Sequence, residues 1–241
     1  MQQKTKGIVL GNCPYSDKYS IVHVFTEEFG RMAYLLPRRT SKKQSLSKAF
    51  FQPMSLIEIE ADCSGRREIY PMKEVRSLYP LHGIYASPVK SALLFFIAEA
   101  LSKALHEAPA DRQLFRYIEE AVLFLEATEQ SVANFHLLFL YRLSRFLGFP
   151  PNLENYTEAS YFDMVDGRFD TLPPAHKHYL SPGEGKVLHS LSRMDFANAA
   201  LFSFTKRERN AVLAYFIEYF RLHIPNFSNL KSYEVLQEVF S

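Results

Sequence analysis

Residues 20–37 read SIVHVFTEEFGRMAYLLP, and this stretch decides the architecture. Ser20–Thr26 and Met32–Pro37 are short runs dense in apolar and β-branched side chains. Between them lie Glu27, Glu28, Phe29 and Gly30, a turn in which Gly30 is free to take positive φ. Outward toward the N-terminus, Lys6–Leu10 is a further apolar run. Outward toward the C-terminus, Met54–Ala61 sets Ile57, Ile59 and Ala61 opposite Glu58 and Glu60, the period of a half-buried strand. Glu68–Met72 and Val75–Leu78 read as one last strand bent at Pro71. Five short strands with a long basic loop predict a small closed barrel over residues 1–80, of which the OB-fold is one form and an SH3-like barrel another.

From residue 87 the period changes to that of helices. Ser87 followed by Pro88 is a helix start, and Leu93, Phe96, Ile97, Ala100, Leu101 and Ala104 repeat with helical spacing. A second helix is expected from about Asp111, with Leu114, Ile118, Val122 and Leu125 on one face. A third is expected from near Ser131 to Gly148, a glycine stop followed by Pro150 and Pro151. Its apolar face carries Phe135, Phe139, Phe146 and, among them, Arg142. Residues 150–180 hold a hairpin signal, Tyr161–Met164 and Arg168–Asp170 around Asp166-Gly167. Ser181 with Glu184, and Thr205 with Glu208, are capping boxes that open two more helices. A last helix starts near Ser232 with Val235, Leu236 and Val239. The class is α+β: an N-terminal β-barrel at 1–80, then an α-helical domain at 81–241 with a small β-hairpin insert at about 150–180.

The charge is uneven. Residues 1–82 hold 13 Lys or Arg against 8 Asp or Glu, while residues 83–241 hold 15 against 18. Within the basic part, Arg38, Arg39, Lys42, Lys43 and Lys48 fall in one short stretch. Such a cluster is either an electrostatic footprint for nucleic acid or a solvated loop that keeps the chain soluble. Two cysteines, Cys13 and Cys63, build neither a disulfide framework nor a four-ligand zinc site, which fits a reducing, cytoplasmic setting. The most apolar stretch, Ala92–Leu105, is interrupted by Glu99 and Lys103, so no membrane span and no membrane partner are expected.

Enzymatic signatures are missing from the sequence. There is no phosphate-cradling glycine loop and no nucleophile elbow, and no catalytic residue is assigned. Asp163, Asp166 and Asp170 lack the ligand series of a calcium loop and read as turn-forming carboxylates. His176 and His178 have no complementary cluster to complete a metal site, so no metal and no cofactor is expected. Arg142 has three readings: snorkelling to water, pairing inside the fold, or capturing a partner's carboxylate at an apolar groove.

The order of segments, opening with Ile8, Val9 and Leu10, then Pro14, Tyr15 and Ser16, then Val24 through Arg31, resembles the RecO family of recombination mediators. The basic loop with Ser41, Lys42 and Lys43, then Leu46 and Gln52 to Met54, continues it. Phe139 through Phe149 is similar to the family's helix ending in Leu-Gly-Tyr, and Leu230, Lys231 and Ser232 resemble its C-terminal signature. The resemblance covers the whole chain. It implies an OB-fold and a protein without turnover that binds single- and double-stranded DNA and anneals complementary strands. It also implies partnership with RecR in helping RecA replace single-strand-binding protein (SSB), and binding to the SSB C-terminal tail. On this footing Arg31, Tyr34, Arg38, Arg39, Lys42, Lys43 and Lys48 become the expected DNA contacts, with Tyr34 read equally as a stacking platform or as a residue of the barrel core. Arg142, with Phe139 and Phe146, becomes the expected tail site, with pairing inside the fold kept as the equal alternative for Arg142. The rival is an adaptor that binds the SSB tail with no essential DNA contact of its own. Two departures stand out. Residues 152–160 contain no cysteine where many members carry a four-cysteine zinc lobe, and Tyr233 stands where the signature usually has arginine.

Overall fold

The computed structural model describes residues 2–37, 48–62, 68–72 and 74–239. Its strands are β1 (Gln2–Pro14), β2 (Tyr19–Thr26), β3 (Gly30–Pro37), β4 (Leu56–Asp62), β5 (Ile69–Pro71) and β6 (Glu74–Ser77). They form one sheet in the order β5-β3-β2-β1-β4-β6. The single bent strand expected around Pro71 is therefore two strands on opposite edges, β5 parallel to β3 and β6 antiparallel to β4. Laid flat, six strands would hold those edges about 24 Å apart. The three residue steps from Pro71 to Glu74 span at most about 11 Å. The sheet must therefore curl, and it forms the OB-like half-barrel.

β1 makes the curl possible. Its residues Gln2–Ile8 pair with β4, its residues Gly7–Pro14 pair with β2, and the register slips between Val9 and Gly11. A bulge of this kind bends a strand and sharpens its twist. The concave core holds Val9, Val22, Val24, Tyr34, Phe51, Ile57, Ile59 and Tyr70. Phe25, next to Val24, points to the other face and meets Phe115 with ring centroids 6.2 Å apart.

The chain forms two compact units. The first takes in everything to Thr128 together with Leu230–Val239, so the change of period near residue 80 falls inside it. Besides the sheet it contains α1 (His82–Ala86), α2 (Pro88–Ala104), α3 (Arg112–Ala127) and the late helix we number α7 (Ser232–Val239). The starts of α2 and α3 follow the sequence signals: Ser87 Oγ accepts from the Lys90 amide, and Asp111 Oδ1 accepts from Gln113 and Leu114. Two carboxylates cap helices other than their own. Glu126 of α3 accepts from the Gly83 and Ile84 amides of α1 at 2.7 and 2.8 Å. Glu99 of α2 accepts from the Lys231 amide at 3.0 Å, and from the Ser232 amide and hydroxyl at 2.8 and 2.6 Å.

The second unit, Glu129–Asn229, contains α4 (Phe135–Phe146), α5 (Pro182–Ser192) and α6 (Lys206–His223). It also holds a small sheet in the order β8-β7-β9, from Tyr161–Asp163 (β7), Arg168–Asp170 (β8) and Tyr179–Leu180 (β9). The hairpin is as expected; β9 adds a third strand. Both capping boxes are present, with the Ser181 and Thr205 amides donating to Glu184 and Glu208. α4 begins four residues later than expected because Asn134 turns its amide onto the carbonyls of Ala199 and Phe202 instead of continuing a helix from Ser131.

Candidate nucleic-acid interface

The β2–β3 turn is fixed by its own chemistry. Thr26 Oγ1 donates to the Gly30 carbonyl at 2.8 Å and accepts from the Phe29 amide. Gly30 has φ of +69°, and a Cβ there would lie 2.4 Å from the Ala108 carbonyl oxygen. Only glycine lets this turn press against the segment that follows α2. The next residue is Arg31. Its amide donates to Ala108, and its Nη1 donates to the Ser102 and Leu105 carbonyls at 2.6 and 3.3 Å. Those carbonyls lie at the C-terminal end of α2, where a cation is favoured. Burial pushes the Arg31 guanidinium below its ordinary pKa. Arg31 is thus committed to closing a helix end, not presented as a free cation to a phosphate. Beside it, burial first, and then the charges of Arg31 and His106, lower the pKa of His23.

Tyr34, read as either a core residue or a stacking platform, is fully buried in the barrel beside Tyr70. Its ring offers no face to a base. Arg38, Arg39, Lys42 and Lys43 lie outside the described residues. Lys48 opens a single 3-10 turn, Lys48–Phe51.

The far end of β3 is where this stretch leaves the sheet. Pro37 pairs with Tyr19, six residues from the Arg31–Phe25 pair, which places the two ends about 20 Å apart. Arg31 and Pro37, the last described residue before Arg38 in the sequence, therefore lie at opposite ends of β3. At the Pro37 end lies the β1–β2 turn, residues Tyr15 to Tyr19, to which the sequence reading assigned no role. The Tyr15 and Ser16 amides donate to the Tyr19 carbonyl at 3.1 and 3.0 Å, and the Tyr19 amide donates to Ser16 Oγ at 3.2 Å. Asn12 Nδ2 donates to the Phe51 carbonyl, so the chain also returns from the basic stretch against this hairpin. The missed signal was PYSDKY at 14–19: two tyrosines and a lysine in a turn, where burial has no use for aromatics.

The described cations of residues 1–82 divide in two. Lys6 pairs with Glu119 at 3.0 Å, Arg76 with Glu58 at 2.8 Å, and Arg31 with carbonyls. Lys4 and Lys18 are exposed and have no ion-pair partner among the described residues.

In the second unit, Phe139 is fully buried, so it cannot meet a partner in this structure. Arg142 donates to the Met194 carbonyl at 2.5 Å, beyond the end of α5. Of its three readings, pairing inside the fold is present, through a backbone carbonyl instead of a carboxylate. Phe146 is half-buried. Asp163 accepts from the Val165 and Asp166 amides, the turn-forming role expected of it. Among the described residues no group of three or more His, Cys, Asp or Glu could hold a metal ion. No described helix is long and apolar enough to cross a membrane.

Comparison with known proteins agrees over the whole length. A family model described as "Recombination protein O N terminal" matches residues 1–81, and "Recombination protein O C terminal" matches residues 86–234. A protein of Azobacteroides pseudotrichonymphae described as "DNA repair protein RecO" is 42% identical over 240 residues, covering 100% of each chain. Proteins with the same description from Bacteroides fragilis and Phocaeicola vulgatus are 43% and 41% identical over 241 residues, again covering 100% of each chain. The curled OB-like sheet, the helices that complete it and two family matches that leave few residues uncovered converge on one conclusion: the chain belongs to the RecO family of DNA repair proteins.

Proposed function

We propose that the protein is a recombination mediator that works without turnover. Its first unit binds single- and double-stranded DNA and speeds the annealing of complementary strands, and together with RecR it helps RecA replace SSB. The observation that carries this reading is the distribution of cations in the first unit. Most described cations there are spent on internal partners, whereas Arg38, Arg39, Lys42, Lys43 and Lys48 follow Pro37 within one short stretch of the sequence. Neutralising phosphates on two strands at once lowers their repulsion, and phosphate contacts leave base edges free to pair. Such work is positional and electrostatic, and it needs no ATP.

Titration of a labelled single strand, followed by polarisation at several salt concentrations, tests this reading. Binding that weakens with salt, together with annealing that runs without ATP and falls with salt, is the expected result. Salt-independent or absent binding would transfer the choice to the adaptor. For the second unit we propose the SSB tail as partner. Arg142 uses one of its five N–H donors on Met194, which holds the guanidinium in place, and the others can take a terminal carboxylate beside Phe146. The competing structural role is tested by Arg142→Lys, which keeps the charge and loses the fork.

A further inference from the structure

We propose that α7 is an exchangeable element: the α2 surface that seats it accepts the α7 of a second copy of this chain as well as its own, so that two copies link by reciprocal exchange. The helix is remote in sequence from its seat. It packs on α2, and Ser232 lies 133 residues from the Glu99 that holds it. The seat reads a short pattern. Leu230 is buried just ahead of the helix. Glu99 then takes the amides of Lys231 and Ser232 and the Ser232 hydroxyl, and Leu236, four residues on, is the buried side chain of α7. All of these groups fall within residues 230–236. A second copy therefore presents everything the seat recognises, at the same spacing.

The tether ahead of α7 favours exchange. Ile224 to Phe227 form a turn closed by the Phe227 amide on the Ile224 carbonyl at 3.3 Å, and within it Asn226 has φ of +62°. That is left-handed backbone, costly for a residue with a Cβ, although asparagine bears it better than most. An extended tether relieves it. Once off its seat, a helix of 8 residues has no stability of its own in water, so the released segment is free to search. Exchange keeps every contact and changes only the chain that supplies it. The equilibrium is then set by the effective concentration of a tethered α7 at its own seat, roughly millimolar for a short flexible link. Relief of Asn226 in both chains lowers the midpoint by roughly threefold per chain, so dimers are expected from about 0.1 mM upward. On the DNA-binding reading, copies side by side on one strand reach that range locally, and exchange links them there.

The experiment uses the full chain without DNA and needs no variant to fold. Lys103 lies one turn beyond Glu99 on α2, and its charge acts on that carboxylate; Lys231 is exposed beside it. An amine-reactive cross-linker therefore joins Lys103 to Lys231 wherever an α7 is seated. Protein of ordinary isotopic composition is incubated with an equal amount of nitrogen-15-labelled protein, cross-linked at about 5 µM and at about 0.5 mM, and the linked peptides are read by mass spectrometry. A Lys103–Lys231 pair with one light and one heavy peptide reports an α7 seated on another copy. The share of such mixed pairs should rise at least about tenfold between the two concentrations, toward the half expected of fully exchanged dimers. Light–light and heavy–heavy pairs with no mixed ones at the higher concentration would overturn exchange and leave the DNA-binding reading untouched. Mixed pairs scattered over the exposed lysines, with Lys103–Lys231 no commoner than the rest, would assign association to another surface and overturn it too. Failure to link Lys103 to Lys231 in any isotope combination would show that α7 is not seated where exchange requires it.

Discussion

Replacing Glu99 by alanine should detach α7 from the first unit. The carboxylate takes three hydrogen bonds from Lys231 and Ser232, at 2.6 to 3.0 Å. Burial pushes its pKa up, but the Ser232 hydroxyl, the amides of Ser232 and Lys231 and the charge of Lys103 together outweigh it, and the pKa is lowered. Three buried bonds to a charged acceptor would be worth about 1.5 to 3 kcal/mol each. Glu99 is partly solvated and the freed amides can turn to water, which brings the loss down to about 2 kcal/mol, the upper end for a helix cap. That is roughly a 30-fold rise in local opening. An isolated helix as short as α7 has no stability of its own in water. Apart from this cap it rests mainly on Leu236, with Leu230 just before it, both buried. Amide exchange followed by mass spectrometry should therefore show protection in α7 falling by that factor while β2 and β4 change little. Glu99→Gln, which keeps one acceptor and loses the charge, should fall between. Because the folded pKa is depressed, the contribution is complete above the unfolded carboxylate pKa and is lost as pH falls through the folded value, so the wild type should lose α7 first on acidification. Exchange in α7 of the alanine variant within about twofold of wild type would refute the reasoning.

His136 in the second unit is fully buried, and burial, with the charge of Arg209, pushes its pKa down from 6.5 to about 3. The unfolded chain then binds a proton that the folded one refuses, so stability should decline as pH falls below 6.5, by about 2 kcal/mol at pH 5 from this group alone; urea unfolding at pH 7 and pH 5 measures it, and His136→Phe should flatten the difference. Gly30→Ala should destabilise the first unit by several kcal/mol, since it adds a left-handed strain to a direct collision with the Ala108 carbonyl; a melting temperature equal to wild type would show that the turn yields. Arg31→Met should lower stability by about 2 kcal/mol and leave the salt slope of DNA binding unchanged, whereas Arg38, Arg39, Lys42 and Lys43 replaced together by alanine should reduce the single-strand slope by roughly 3. A smaller slope in Arg31→Met would return that residue to the phosphate contacts.

Much of the fold was legible because its signals are local. The alternation of Ile57 and Ile59 with Glu58 and Glu60, the Ser87-Pro88 start, the Asp111 cap, the two capping boxes and the stop at Gly148 each depend on residues within a turn or two of each other. What escaped depends on distance. Whether Ile69–Pro71 and Glu74–Ser77 are one strand or two is decided by β3 and β4, which pull them to opposite edges. α1 is too short to show a period, and its cap comes from Glu126, some 40 residues on. Arg31 looked like a phosphate contact because its partners lie 71 and 74 residues away. Tyr34 was read as core or platform, and register settled it for the core. Tyr15 and Tyr19 were passed over because aromatic residues are taken for core until their exposure is known.

The discontinuity of the first unit governs the order in which the molecule can be made. A ribosome producing this chain delivers the sheet and α1 to α3, then roughly 100 residues of the second unit, and only afterwards Leu230–Val239. At ordinary rates of synthesis that interval is about 5 to 20 s. Throughout it, the surface that receives Leu230 and Leu236 is uncovered and Glu99 has no amides to hold. The nascent first unit is therefore an unfinished body with an apolar docking face, open to chaperones and proteases until its last helix arrives.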